Sequence, residues 1–572
     1  MNCSRRIISA FLFLFTAHSV GSFVQAQQLA PDVIISNGKI ITVDDRFTIA
    51  QALAIKGDRI VAVGSNQQIL QLAGPNTMRI DLGGKSVTPG FIDHHGHYMR
   101  EGSTWSEEVR LDGIESRRQA MDLLRAGAKR KDPGKWVYTL MGWSSDQFTD
   151  DKRPFTREEL DLIAPNNPVY LQEGYYRAYL NSRGLEALGF KDSFADPEWA
   201  PKNTVVRASS GKLTGVILED GIRPAEAKIL EYPRDKKDID ASHLAMIRDL
   251  NRAGLTTIGV SICNNSAQVP SAGDIKATYR RWSEQGKLNI RVYCIDGFGI
   301  SDDEHVEEIL PQIGQIKLFQ GNLYFDDIAY GETWPGNDNM LDVRPNQKPA
   351  DWARFESIAT AVAKAGMPVQ IHATLHDSID GYLDRIETIN KQYPIRNLRW
   401  SLIHIDEISQ AQIDRMKALG MYAGVHMRPS VMGGIFRRIR GDQSFNMPPM
   451  KMIQDSGIMW GIGTDFNLDQ YRPFTTLWFC VTGKMVGGAV VNHQTISRED
   501  ALIAHTRRNA FFVFQENNLG SIQPGKLADL VVLDRDYLTI PEDQIKDIRP
   551  VMTMVGGKVV YDAAATPALH PG

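Results

Sequence analysis

Pro89-Gly90-Phe91-Ile92-Asp93-His94-His95-Gly96-His97 is the stretch on which the reading of this chain turns. Two turn signals, Gly83-Gly84 and Pro89-Gly90, lead into the apolar pair Phe91-Ile92. A short apolar run bounded by turn residues predicts a buried strand. Side chains alternate along a strand, so His95 and His97 share one face and Gly96 lies on the other. Two neutral imidazoles on one face at a strand end can hold one divalent cation. Three of the 13 histidines fall within four residues here, which favours that reading over a solvated histidine-rich loop. His94 points the other way and reads as structural.

Downstream, strand-like runs alternate with charged amphipathic stretches. The runs are Trp136–Leu140, Pro168–Leu171, Thr256–Val260, Ile290–Tyr293, Pro368–His372, Trp400–His404, Tyr422–Val425 and Ile458–Ile462. Such alternation implies parallel strands joined by helices, and its length suits a (β/α)8 barrel with insertions. Upstream, from Pro31 to Val87, short strands are separated by Asn37-Gly38, Asp44-Asp45 and Gly57-Asp58, and the same pattern returns after residue 528. The two β-rich ends are expected to pair, because chain ends often lie close together. The expected fold class is α/β: a (β/α)8 TIM-like barrel with insertions, plus a small β-sandwich domain built from both chain ends. The corresponding boundaries are 27–87 and 516–572 for the two sandwich parts and 88–515 for the barrel.

In such barrels chemistry gathers at the C-terminal ends of the strands. The polar residues closing the runs are His95 and His97, then His372, His404 and Asp465. Each alone is as readily structural as functional. Together, at the ends of separate strands, they point to one site.

These residues carry a family resemblance. The chain resembles the amidohydrolase superfamily of metal-dependent hydrolases, and within it amidohydrolase family 3. The matching pieces are Pro89–His97, Gln370-Ile371-His372-Ala373, Ile403-His404, Gly463-Thr464-Asp465 and Gly520–Leu530, whose order and separation fit nearly the whole mature chain. The resemblance implies that His95 and His97 bind one metal and that His372 and His404 bind a second. Asp465 would bind the first and also handle the catalytic proton. The family usually places a bridging ligand, often a carboxylated lysine, after the fourth strand. Lys317 lies in Ile316–Phe319, but Ile328-Ala329-Tyr330-Gly331-Glu332 looks more like the strand end, so Glu332 is favoured. A glutamate can bridge two cations directly.

Four residues are candidates for substrate contact. Trp143 is one, with a core tryptophan as the equal alternative. Arg177 stands in Tyr176-Arg177, where many relatives have a histidine. His376 falls in a segment that departs from the family's His-Ala-x-Gly-Asp, and Arg428 could meet a carboxylate bidentately. Each is equally readable as structural or surface.

The cofactor expected is one or two divalent cations, zinc by default, with Mn or Fe compatible with the same ligands. Such cations bring bound water near neutrality and polarise a carbonyl oxygen. Asp465 would act as general base and then general acid, with His404 able to stabilise an oxyanion in a one-metal site. The expected reaction is hydrolysis of a carbon–nitrogen, amide-type but not peptide bond, with ester and cyclic amide as variants. Rivals are a lyase or isomerase on the same barrel, a metal-free glycosidase resting on two carboxylates, and a metal-holding binding protein.

With 42% apolar and 23% charged residues and a net charge of −4, composition is that of a globular enzyme with a small-molecule substrate. No basic stripe points to nucleic acid. A homo-oligomer is left open. The first 26 residues read as a secretory signal peptide: Arg5-Arg6, the uncharged run Ile7–Thr16, then Val24-Gln25-Ala26 before Gln27. The apolar run is short for a bilayer span, so the mature chain is expected to be exported, periplasmic or secreted, and without a membrane anchor. Its remaining cysteines, Cys263, Cys294 and Cys480, sit in apolar contexts with no framework spacing and are expected to be buried free thiols.

Overall fold

A computed structural model describes residues 30–192, 195–231, 233–263, 272–297, 306–338 and 347–565. Residues 1–26, expected to be a signal peptide, lie outside the described residues. Eight parallel strands position everything that follows. They are β1 (Phe91–Gly96), β2 (Leu255–Ser261), β3 (Arg291–Asp296), β4 (Phe325–Tyr330), β5 (Gln370–Ala373), β6 (Ser401–His404), β7 (Tyr422–His426) and β8 (Trp460–Gly463). The first four form one sheet in the order β4-β3-β2-β1 and the last four another in the order β5-β6-β7-β8. Single parallel bridges connect the sheets at both edges, Tyr330 with Val369 and Gly96 with Phe466. Helices alternate with these strands, giving a TIM-barrel-like α/β arrangement.

Local chemistry explains the elements. β1, β2 and β8 are buried along their whole length, so none shows the apolar–polar alternation of a half-solvated strand, and the polar residues of β1 and β2, such as Asp93, His95 and Thr256, are buried too. β1 and β2 approach closely at Gly259, where a Cβ would lie 2.3 Å from the carbonyl oxygen of His94. The helix Gln410–Leu419, between β6 and β7, begins at a Ser409–Gln412 capping box and ends at Gly420 in left-handed conformation.

Two expectations are corrected. Trp136–Leu140 and Pro168–Leu171 do not belong to the eight parallel strands. Val137–Leu140 and Val169–Glu173 instead pair with each other in a mixed five-stranded sheet, completed by Arg177–Leu180, Val205–Arg207 and Leu213–Leu218. This sheet is inserted between β1 and β2. A buried apolar run reads the same in either sheet, and the true fourth strand was legible only at its end, Ile328-Ala329-Tyr330.

Secondly, Cys263 and Cys294 form a disulfide, with Cα atoms 5.7 Å apart. β2 and β3 are neighbours, with Val260 opposite Cys294 and Ser261 opposite Ile295, which brings the two thiols together across a sequence gap without a signature. Cys480 is free and buried.

The chain ends meet. Ser86–Pro89 pairs antiparallel with Leu530–Leu533 in a six-stranded sheet that also contains Lys39–Ile41, Ile49–Ala50, Pro550–Val555 and Lys558–Asp562. A four-stranded sheet of Val33–Ser36, Ala52–Lys56, Arg59–Gly64 and Met78–Asp81 shares a core with it, built from Ile35, Leu53, Val87, Leu530 and Met554. The Arg291 guanidinium, buried at the start of β3, bonds both oxygens of Asp529 at 2.8 and 2.9 Å and fixes this terminal unit against the parallel strands. No helix among the described residues is long and apolar enough to cross a membrane.

Candidate metal centre

The C-terminal ends of β1, β4, β5, β6 and β8 deliver their closing residues to one place. His95 Nε2 stands 2.5 Å from Glu332 Oε2 and 3.8 Å from Asp465 Oδ1. His97, one residue beyond β1, reaches the same pair, 3.5 Å from Glu332 Oε1 and 3.2 Å from Asp465 Oδ1. The His372 and His404 rings lie 3.8 Å apart between centroids, and His404 Nδ1 is 3.8 Å from Asp465 Oδ2. His404 and Asp465 have φ of 73° and 52°, a left-handed backbone uncommon for residues with a Cβ and concentrated at functional sites.

Three sets among the described residues place one ligand atom each close enough to share a cation: His95, His97 and Asp465; Glu332, His372 and His404; and His95, His404 and His426. The donors fit such an ion. Imidazole and carboxylate suit Zn and its neighbours, and His404 Nε2 is buried without a hydrogen-bond partner among the described residues. The remaining nitrogen of His95 contacts Gln370 Oε1 at 3.1 Å, which orients the ring as an outer-shell acceptor does for a metal-binding histidine.

Electrostatics agree. Burial opposes charge on His95, but the carboxylates of Glu332 and Asp465 outweigh it and lift the imidazole pKa to about 9. Burial would raise the Glu332 carboxyl, yet His95 and His97 beside it hold it well below its ordinary value. Burial, reinforced by surrounding imidazoles and Arg428, drives His404 and His426 well below the usual histidine range.

Other candidates lie elsewhere or play different parts. Lys317 is exposed, ahead of β4. Trp143 is buried in an aromatic cluster with Phe148, Phe155 and Tyr179, the core alternative rather than a pocket wall. Arg177 is bound to Glu173 at 2.6 Å and to Ser145 Oγ at 3.0 Å. His376 starts the helix after β5, half-exposed, 3.5 Å from Asp380. Arg428 is buried; one arm pairs with Asp406 and the other lies 3.8 Å from Asp465 Oδ2, so its guanidinium is tied to protein carboxylates. His94 stacks on Phe512 at 4.6 Å, and burial lowers its pKa to about 3.

Sequence reasoning passed over His426 and Asp93. His426 ends Tyr422–His426 as His372 and His404 end their runs, so the same rule applied to β7 finds it. Asp93 lies inside the quoted motif, but its role is visible only in three dimensions.

The family model described as the amidohydrolase family matches residues 79–561. The chain belongs to the amidohydrolase family. This amidohydrolase is 26% identical to the N-substituted formamide deformylase of Arthrobacter pascens, over 93% of the chain and 98% of the relative. It is 25% identical to Protein LONG AFTER FAR-RED 3 of Arabidopsis thaliana, over 93% and 92%. Among solved structures, an uncharacterized metal-dependent hydrolase from Pyrococcus furiosus superposes with a TM-score of 0.62 at 21% identity, covering 89% of this amidohydrolase and all of that chain. The last likeness concerns the fold.

Proposed function

We propose that this amidohydrolase hydrolyses a carbon–nitrogen, amide-type bond of a small molecule, with one or two zinc ions held by His95, His97, Glu332, His372, His404 and Asp465. The observation that carries the reading is the convergence of these six side chains at the ends of β1, β4, β5, β6 and β8. The deformylase relative, matched almost end to end, supports a small N-substituted amide as the substrate class.

When bound, the cation supplies an acidified water and polarises the scissile carbonyl. The chain's residues do the rest. His95, His97 and Asp465 would hold one cation and His372 and His404 a second, with Glu332 within reach of both sets. Asp465 accepts the water's proton and delivers it to the leaving nitrogen. Arg428, buried and paired with Asp406, lies 3.8 Å from Asp465 Oδ2, the same oxygen that faces His404 Nδ1, and helps hold that carboxylate in place.

In the same reading the eight strands constitute a closed (β/α)8 barrel over 88–515, and residues 27–87 and 516–572 form a β-sandwich. Residues 1–26 direct export. The Cys263–Cys294 disulfide supports export, since such bonds persist in oxidising compartments.

The test is metal analysis of the purified mature protein, followed by assay on N-substituted formamides, N-acyl amino acids and cyclic imides with zinc supplied. Expected are one or two equivalents of metal and metal-dependent amide hydrolysis. Full activity in metal-free protein overturns the reading.

A further inference from the structure

We propose that His426 is a positioning residue for the metal centre, accepting the Nδ1 proton of His404 and so fixing the tautomer that leaves His404 Nε2 free to bind the cation. The inference rests on the reading of His404 as a ligand. His426 Nδ1 and His404 Nδ1 are 2.7 Å apart, both rings are buried, and they meet edge to face with centroids 4.2 Å apart. Two ring nitrogens at that distance share one proton, carried by one ring and accepted by the other.

The direction follows from the neighbours. With its Nδ1 engaged by His426, His404 has only Nε2 to offer to the set it forms with Glu332 and His372, and that atom has no hydrogen-bond partner among the described residues. A ligating nitrogen needs its lone pair, so the proton sits on His404 Nδ1 and His426 accepts. Metal-bound histidines are regularly oriented through the other ring nitrogen in this way.

The alternative is that His426 binds the cation itself, in the set with His95 and His404. Spacing argues against it. Two nitrogens on one tetrahedral zinc at about 2.0–2.1 Å lie about 3.3 Å apart, wider than the observed 2.7 Å. Packing agrees: His426 is stacked on His95 at 4.5 Å, and its Cδ2–Nε2 edge faces Gly463, where an added Cβ would come within 2.8 and 2.9 Å of those atoms. Gly463 thus makes room for the ring, and the Nε2 edge is turned to that backbone wall rather than to the other candidate ligands.

The test is Co2+ and Zn2+ binding to the mature full-length protein and to His426→Phe, His426→Gln and His404→Phe. For His426→Phe we expect about 10- to 100-fold weaker metal affinity, a shifted Co2+ visible spectrum, and unchanged stoichiometry at saturation. His426→Gln keeps an acceptor and should recover most of the affinity. Wild-type affinity and spectrum in His426→Phe overturn the proposal, as does loss of the same metal equivalent in His426→Phe as in His404→Phe. Unchanged metal binding in His404→Phe overturns the ligand reading itself, a distinguishable result. Should His426→Phe fail to fold, nitrogen-15 histidine NMR of the unsubstituted metal-free protein decides: a proton on His404 Nδ1 supports the assignment, and one on His426 Nδ1 overturns it.

Discussion

Asp93 and Thr464 clamp the first and last of the eight parallel strands together, directly behind the metal centre. The Asp93 carboxylate accepts from the Thr464 hydroxyl and from its backbone N–H at 3.2 Å, and also from His95 N at 3.1 Å and Tyr98 Oη at 2.6 Å. One buried side chain therefore sets both His95 and the residue preceding Asp465. Asp93→Ala leaves these donors unpaired and should cost on the order of 2–3 kcal/mol of stability. Urea unfolding measures the loss; metal affinity should fall with it.

Asp465→Asn should reduce kcat by about 10²–10⁴-fold. Most of the bound metal should remain, because the amide that replaces the carboxylate still offers an oxygen. Paired assay and metal analysis check this. Turnover at the parent rate would remove Asp465 from the proton transfer.

Glu332 and Lys317 separate cleanly. Glu332 touches His95 and His97, whereas Lys317 is exposed. Glu332→Ala, which removes the oxygen altogether, should lose bound metal and Lys317→Ala should keep it. Metal content after dialysis reads the difference.

Chelation should abolish activity and lower the melting temperature, and zinc should restore both. A ligand that binds only the folded state at 100 times its Kd stabilises by about 2.7 kcal/mol. Calorimetry of the stripped and reloaded protein gives the shift.

Acid sensitivity should trace in part to His243, far from the ligands in chain order. Its ring is buried between Ser103 Oγ at 3.1 Å and Tyr279 Oη at 2.9 Å. Burial, then Lys236, lowers its pKa from 6.5 to about 3. Above 6.5 the imidazole is neutral folded or unfolded; as pH falls toward 3 only the unfolded chain takes up the proton, so stability drains away. His243→Gln should flatten the stability profile across that window by about 1.4 kcal/mol per pH unit.

Much of the candidate centre was legible because the residues that converge there follow a simple rule: an apolar run closed by a polar residue. His372, His404 and Asp465 obey it, and β7 with His426 obeys it too. The rule fails where a run belongs to another sheet, as with Val137–Leu140, since burial alone makes both kinds of strand apolar. Cross-strand relations left no sequence trace. The Cys263–Cys294 bond depends on the β2–β3 register, and the Arg428–Asp406 pair on the loops after β6 and β7.

The union of the chain ends has a kinetic consequence. Asn509 donates to Ile92 O across 417 positions and also grips Ile462, so β1 and β8 are tied together by a residue made late. Ser86–Pro89, immediately ahead of β1, waits longer still for Leu530–Leu533. Contacts of such sequence separation form slowly, because loop closure precedes any gain. The histidine pair that begins the centre is therefore among the first segments synthesised and among the last to be locked in place. These contacts cannot form before residues 509–533 exist, and any truncation before residue 530 should yield a chain that cannot complete the centre.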